Sequence, residues 1–132
     1  MEPRLSFVTL GVSNLERSVR FYEKVLRFPR LPSSPSIAFF ELGRTWLSLY
    51  PRELLAADAG VAAESTGFVG FSLAHNVHSV KEVDRLMAEL AAEGTKIVKK
   101  PKTADWGGYS GYFEDPDGFL WEVAYNPHFP HT

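Results

Sequence analysis

One stretch near the start of the chain returns in its second half. FVTLGVSNLERSV (7–19) and FVGFSLAHNVHSV (68–80) both run from Phe-Val through alternating apolar residues to a polar turn and a helix start. On these letters Phe7 aligns with Phe68, Leu10 with Phe71 and Val12 with Leu73, and the second copy is one residue shorter in the turn. A repeat constrains the fold strongly, because one supersecondary unit rarely buries its apolar face alone. At 132 residues the chain has room for one domain, or for two small units sharing a core. Its 45% apolar content is enough to build that core.

Helical spacing follows each copy. Leu15, Val19, Tyr22 and Leu26 share one helix face, as do Val80, Val83, Met87 and Leu90. Phe21 and Tyr22 read as core. SNLE (13–16) and SVKE (79–82) fit the capping box, and Gly94 stands where a left-handed terminator is expected.

Extended segments come next. IAFFELGRTWLSLYP (37–51) resembles YSGYFEDPDGFLWEVAYNP (109–127), with Leu47-Ser48-Leu49 opposite Trp121-Glu122-Val123. In DPDG, Pro116 suits the second position of a tight turn and Gly118 supplies the positive φ that closes it. Beyond the turn, Phe119, Trp121, Val123 and Tyr125 alternate with Leu120, Glu122 and Ala124. Glu122 thus shares a face with apolar neighbours, either as a ligand contact or as an acid satisfied by Arg, Tyr or Trp within the protein. Each unit reads strand, helix, then three strands, although PRLPSSPS (29–36) is a weak strand pattern. The organisation expected is module one over 4–51, a linker at 52–66 with room for one short helix, module two over 67–127 and a tail at 128–132.

Several function classes fall away. A net charge of −2, from 14 basic and 16 acidic residues, gives no general attraction for nucleic acid or an anionic membrane. No apolar run is long enough for a bilayer, and MEPRLSFVTL has no secretory pattern, so a cytoplasmic protein is expected. Without cysteine there is no thiolate metal site, which leaves His, Asp and Glu as the strong metal ligands.

VSNLERSVRFYEKVL (12–26), LAHNV (73–77), WGGYSGYF (106–113) and DPDGFLWEV (115–123), in this order, resemble the vicinal oxygen chelate superfamily. That superfamily includes glyoxalases, extradiol dioxygenases, fosfomycin-resistance enzymes and bleomycin-resistance proteins. The resemblance implies an α+β fold of two βαβββ modules pairing into a curved, funnel-like mixed sheet, and a homodimer. It also implies four inward positions that hold a divalent metal in the enzymes: Phe7, Ser48, Phe68 and Glu122 here. Of these, Glu122 alone is a good ligand, and two Phe rings crowd any ion.

The expectation is therefore a small-molecule-binding protein of the glyoxalase/bleomycin-resistance type, without a cofactor. Its partner would be a small apolar or aromatic molecule, held by Phe7, Thr9, Trp46, Ser48, Phe68, His75, Trp106, Tyr109 and Glu122. Glu122 would exchange a hydrogen bond with the ligand or act as a general base. Trp106 and Tyr109 lie in KTADWGGYSGY (102–112), read either as a loop over the site or as a glycine-rich connection whose rings plug the sheet. His75 either approaches the site or hydrogen-bonds the loop before the helix. His78 is expected in solvent, and His128 and His131 in a loose tail. The alternative is a metal-dependent lyase or dioxygenase with a rearranged ligand set, holding Zn, Ni, Fe or Mn through His75, Glu122 and a tail histidine. A regulatory partner that binds protein through its exposed sheet is a third class, which no feature singles out.

Overall fold

The computed structural model of the chain describes residues 3, 5–59, 62–64, 67–69, 71–105 and 107–128. It divides into two units, Met1–Gly67 and Phe68–Thr132. In the first, β1 (Phe7–Val12) leads into α1 (Leu15–Arg20), followed by β2 (Arg30–Leu31), β3 (Ala38–Leu42), β4 (Thr45–Pro51) and α2 (Arg52–Ala59). In the second, β5 (Leu73–Asn76) leads into α3 (Val80–Ala92), β6 (Lys96–Thr103), β7 (Tyr109–Glu114) and β8 (Leu120–Tyr125).

Both units are βαβββ with one topology. The sheets run β1-β4-β3-β2 and β5-β8-β7-β6, with the first and last strands of each unit parallel and the remaining pairs antiparallel. The weak pattern at 29–36 yields only the two-residue β2, and the Ala-rich linker begins with α2.

Local chemistry sets the helix ends. Asn14 caps α1 by accepting the Arg17 N–H at 2.9 Å, one residue later than the SNLE pattern suggests. Ser79 caps α3 by accepting the Glu82 N–H, and Glu82 reaches back to the His78 N–H at 3.0 Å. Gly94 closes α3 at φ 84°. The helix begun by α1 widens into a π turn at Phe21–Val25, then ends with Arg27 at φ 59°, a place that favours glycine.

One face of each sheet is covered by helix. In the first unit Leu10, Val12, Ala38, Phe40, Leu47 and Leu49 are buried there, with Tyr22 packed 6.0 Å from Phe40 between ring centres. In the second, Trp121, Val123 and Phe113 share the face approached by α3, whose Val83, Met87 and Leu90 are buried. The rings of Phe113 and Trp121 stack at 6.1 Å. Asp115 fastens the DPDG turn, accepting the Asp117 and Phe119 N–H groups at 2.9 Å, and Gly118 adopts φ 84° as expected.

The register of the repeat differs from the alignment drawn on the Phe-Val letters. Strand pairing sets Thr9 opposite Ser48 and Ala74 opposite Glu122, so Thr9 and Ala74 are equivalent. Both lie five residues before their caps, and no residue is lost from the turn. The residue in the place of Phe7 is then Ser72, and that of Leu10 is His75. Phe68 lies before β5, outside any strand and 71% exposed. Matching aromatic letters misled the alignment; the caps and the ladder carry the true correspondence.

Candidate functional site

Opposite these buried faces are two further sheet faces: that of the second unit lies away from α3, and that of the first lies away from α1 and meets α2 at its Gly11 end, where an added Cβ would stand 3.3 Å from Leu55. In the first unit one row runs across four strands as Thr9, Ser48, Phe39 and Leu31. The Thr9 and Ser48 hydroxyls are hydrogen-bonded to each other, and Ser48 is 1% exposed. In the next row Phe7 stands beside Trp46, which is paired with Glu41. The Phe7 ring meets both Phe39 and Trp46 edge-on at 5.8 Å and is still 48% exposed. Edge-on contacts of this kind keep an aromatic surface ordered while leaving it accessible.

The corresponding row of the second unit is Ala74, Glu122, Tyr112 and Lys99. Tyr112 stands directly across from Glu122. Burial first, then the Glu122 carboxylate, push the Tyr112 hydroxyl above its ordinary pKa. The neighbouring row is Asn76, Ala124, Ser110 and Lys102.

The structure thus gathers Phe7, Thr9, Trp46 and Ser48 on one face, as the sequence suggests. Glu122 lies on its own unit's helix-free face with Leu120 and Ala124. Three expected neighbours of the site are placed elsewhere. Phe68 precedes β5. His75 is paired with Val123, on the helix-covered side, where shielding by protein lowers its pKa against the opposing pull of Glu82. Tyr109 also faces α3 and donates to Asp84 Oδ1 at 2.6 Å. Alternation with the buried Phe113 and the helix-packed Gly111 explains its side. Trp106 and His131 lie outside the described residues. His128 is less detached than a loose tail implies, since its Nε2 stands 3.1 Å from where a Cβ on Gly107 would be.

Phe39, Tyr112, Ser110 and Lys99 are additions to the expected set. Tyr112 was within reach of sequence reasoning, because folding back about DPDG pairs Glu114 with Leu120 and hence Tyr112 with Glu122. Lys99 carried no such signal.

The donors in these rows suit a transition metal poorly. Glu122 is the single carboxylate of its row, between a methyl group and a phenol, and the first unit's row offers two mutually bonded hydroxyls. Among the described residues no three of His, Asp and Glu stand together as a ligand group.

Twin βαβββ units, each with its first and last strands paired in parallel, define the glyoxalase type of fold. The chain belongs to the Glyoxalase/Bleomycin resistance protein/Dioxygenase superfamily, whose profile matches residues 4–123. A solved glyoxalase-related enzyme from Fulvimarina pelagi is 34% identical with a TM-score of 0.88, covering 98% of this chain and 93% of that one. A glyoxalase/bleomycin resistance protein/dioxygenase from Nocardioides is 26% identical with a TM-score of 0.82, covering 100% and 90%. Among curated proteins, the metallothiol transferase FosB of Shouchella clausii is 29% identical over 120 residues, 90% of this chain and 77% of that protein.

Proposed function

We propose that this superfamily member binds a small apolar or aromatic molecule and does so without a metal. The observation that carries the reading is the exposed Phe7 ring, held edge-on by Phe39 and Trp46 beside the Thr9–Ser48 hydroxyl pair. A flat ligand ring stacks on such a platform, and a hydroxyl pair fixes its orientation. Glu122, on the second unit's own face and paired with Tyr112, offers one further hydrogen-bonding group.

The reading includes a homodimer in the cytoplasm, on the strength of the superfamily resemblance. Among the described residues no helix is long and apolar enough to cross a membrane. Size-exclusion chromatography with light scattering tests the dimer, and a monomer at micromolar concentration contradicts it.

Titration with 2-naphthamide, followed by Trp fluorescence and by NMR shifts of the Phe7 and Trp46 amides, tests the platform. The expected result is saturable binding that Phe7→Lys abolishes. Binding unchanged by Phe7→Lys overturns the reading.

A second reading is favoured by the relatives named metallothiol transferases. On it the chain is a metal-dependent enzyme with a rearranged ligand set containing Glu122. Elemental analysis of protein purified without a histidine tag separates the two. One equivalent of Zn, Ni, Fe or Mn that Glu122→Ala removes supports this second reading and contradicts the first.

A further inference from the structure

In a regular strand, residues three apart point to opposite faces. On β6 they do not. Lys96 pairs with Glu114, Lys99 with Tyr112 and Lys102 with Ser110, and Glu114, Tyr112 and Ser110 all lie on the helix-free face of β7. Two register shifts produce this, one between Ile97 and Lys99 and one between Lys99 and Lys102. Bulges re-aim side chains in this way. The second is made possible by Gly111, where an added Cβ would stand 2.9 Å from the Lys99 carbonyl oxygen and 3.0 Å from the Pro101 nitrogen.

The lysines so aligned are not equally engaged. Lys96 is bound to Glu114 at 2.7 Å. Among the described residues neither Lys99 nor Lys102 has a carboxylate within ion-pair distance. Their row neighbours, Tyr112 and Ser110, carry hydroxyls, with Ser110 almost fully buried. A protective charged edge requires lysines on the strand, but it does not require three of them on one face. Two ammonium groups aligned on one face, with no carboxylate partner among the described residues, make the arrangement that oxyanions bind.

We propose that Lys99 and Lys102 form a site for the oxyanion head, a carboxylate or a phosphate, of the small molecule this protein binds. The head lies between the two ammonium groups, along β6. Glu122 is two strands away from Lys99 in the same row, about 10 Å at the usual strand spacing. That separation keeps the carboxylate from repelling the bound anion and leaves it free for a neutral group of the same molecule. The identity of the rest of the ligand rests on the function proposed above; the anion site itself does not.

The test uses the whole chain, 15N-labelled, with inorganic phosphate, 2-naphthoate and its neutral counterpart 2-naphthamide as probes. Variants are K99Q/K102Q and the charge-preserving K99R/K102R. Phosphate and 2-naphthoate are expected to shift the amides of residues 99–102 and 110–112. 2-Naphthoate is expected to bind about tenfold more tightly than 2-naphthamide, an advantage that shrinks with salt. K99Q/K102Q should erase both effects and K99R/K102R should keep them. Anions that leave those amides unmoved overturn the proposal, as does an advantage that survives K99Q/K102Q; the lysines then serve only to guard the edge. If phosphate shifts these amides in the lysine-dependent way while 2-naphthamide binds nowhere, the anion site stands and the apolar-ligand reading falls.

Discussion

Tyr112 stands directly across the β7–β8 pair from Glu122, close enough for that carboxylate to help raise the pKa of its phenol. The acid that stands out in the sequence therefore has a phenol as its cross-strand neighbour. That phenol is carried by the strand that DPDG folds back onto the acid's own.

This pairing predicts an ordering of titrations. Burial and Glu122 raise the Tyr112 pKa above 10.0, so the folded state holds that proton longer than the unfolded chain does. The associated stability is complete below pH 10 and is lost as pH rises through the folded value. Ultraviolet difference titration of wild type against Tyr112→Phe should show a phenol ionising above the ordinary range. Glu122→Gln should bring it down without normalising it, since burial remains the largest cause. A Tyr112 that ionises at the ordinary value in wild type contradicts the pairing.

His75 should behave in the opposite sense. Shielding lowers its pKa from 6.5 and Glu82 opposes the shift. Its contribution to stability is present above pH 6.5 and is lost as pH falls through the lowered value. NMR titration of the imidazole should give a midpoint below 6.5, and Glu82→Gln should lower it further. A rise in Glu82→Gln places His75 away from that carboxylate.

Arg27 ends the first helix in the left-handed region, at φ 59°. A non-glycine residue there costs about 1 kcal/mol or more, part of which glycine gives back as unfolded-chain entropy. Arg27→Gly should stabilise the protein by about 0.5 kcal/mol, read as a higher urea midpoint with an unchanged m-value. Destabilisation would mean that the Arg27 side chain holds the turn.

Gly111 should tolerate nothing larger. A Cβ there meets backbone atoms of β6 at 2.9 and 3.0 Å and Met87 Cε at 3.0 Å. Gly111→Ala should cost about 1–3 kcal/mol by overpacking, measured by the same unfolding curves. A neutral Gly111→Ala would show that the bulge opposite it does not need the close approach.

Much of this was legible because it is local. The Ser79 cap, the Gly94 terminator and the DPDG turn are each written in a few adjacent residues whose hydrogen bonds form as the letters suggest. Phe7, Thr9, Trp46 and Ser48 share a face because two parallel strands of period two need only one correct pairing. The second unit was harder. Phe68 repeats the letters of Phe7 but precedes its strand, and the side on which His75 and Tyr109 fall depends on pairings made far along the chain. Lys99 and Lys102 were beyond pattern reading, since two bulges overrule the alternation that any such reading assumes.

The most direct measurement is the affinity of 2-naphthamide before and after exhaustive treatment with a metal chelator, in wild type and Glu122→Ala. The account predicts saturable binding in wild type whose dissociation constant the chelator leaves unchanged. Binding that the chelator abolishes and Zn, Ni, Fe or Mn restores, or no binding at all, would contradict it.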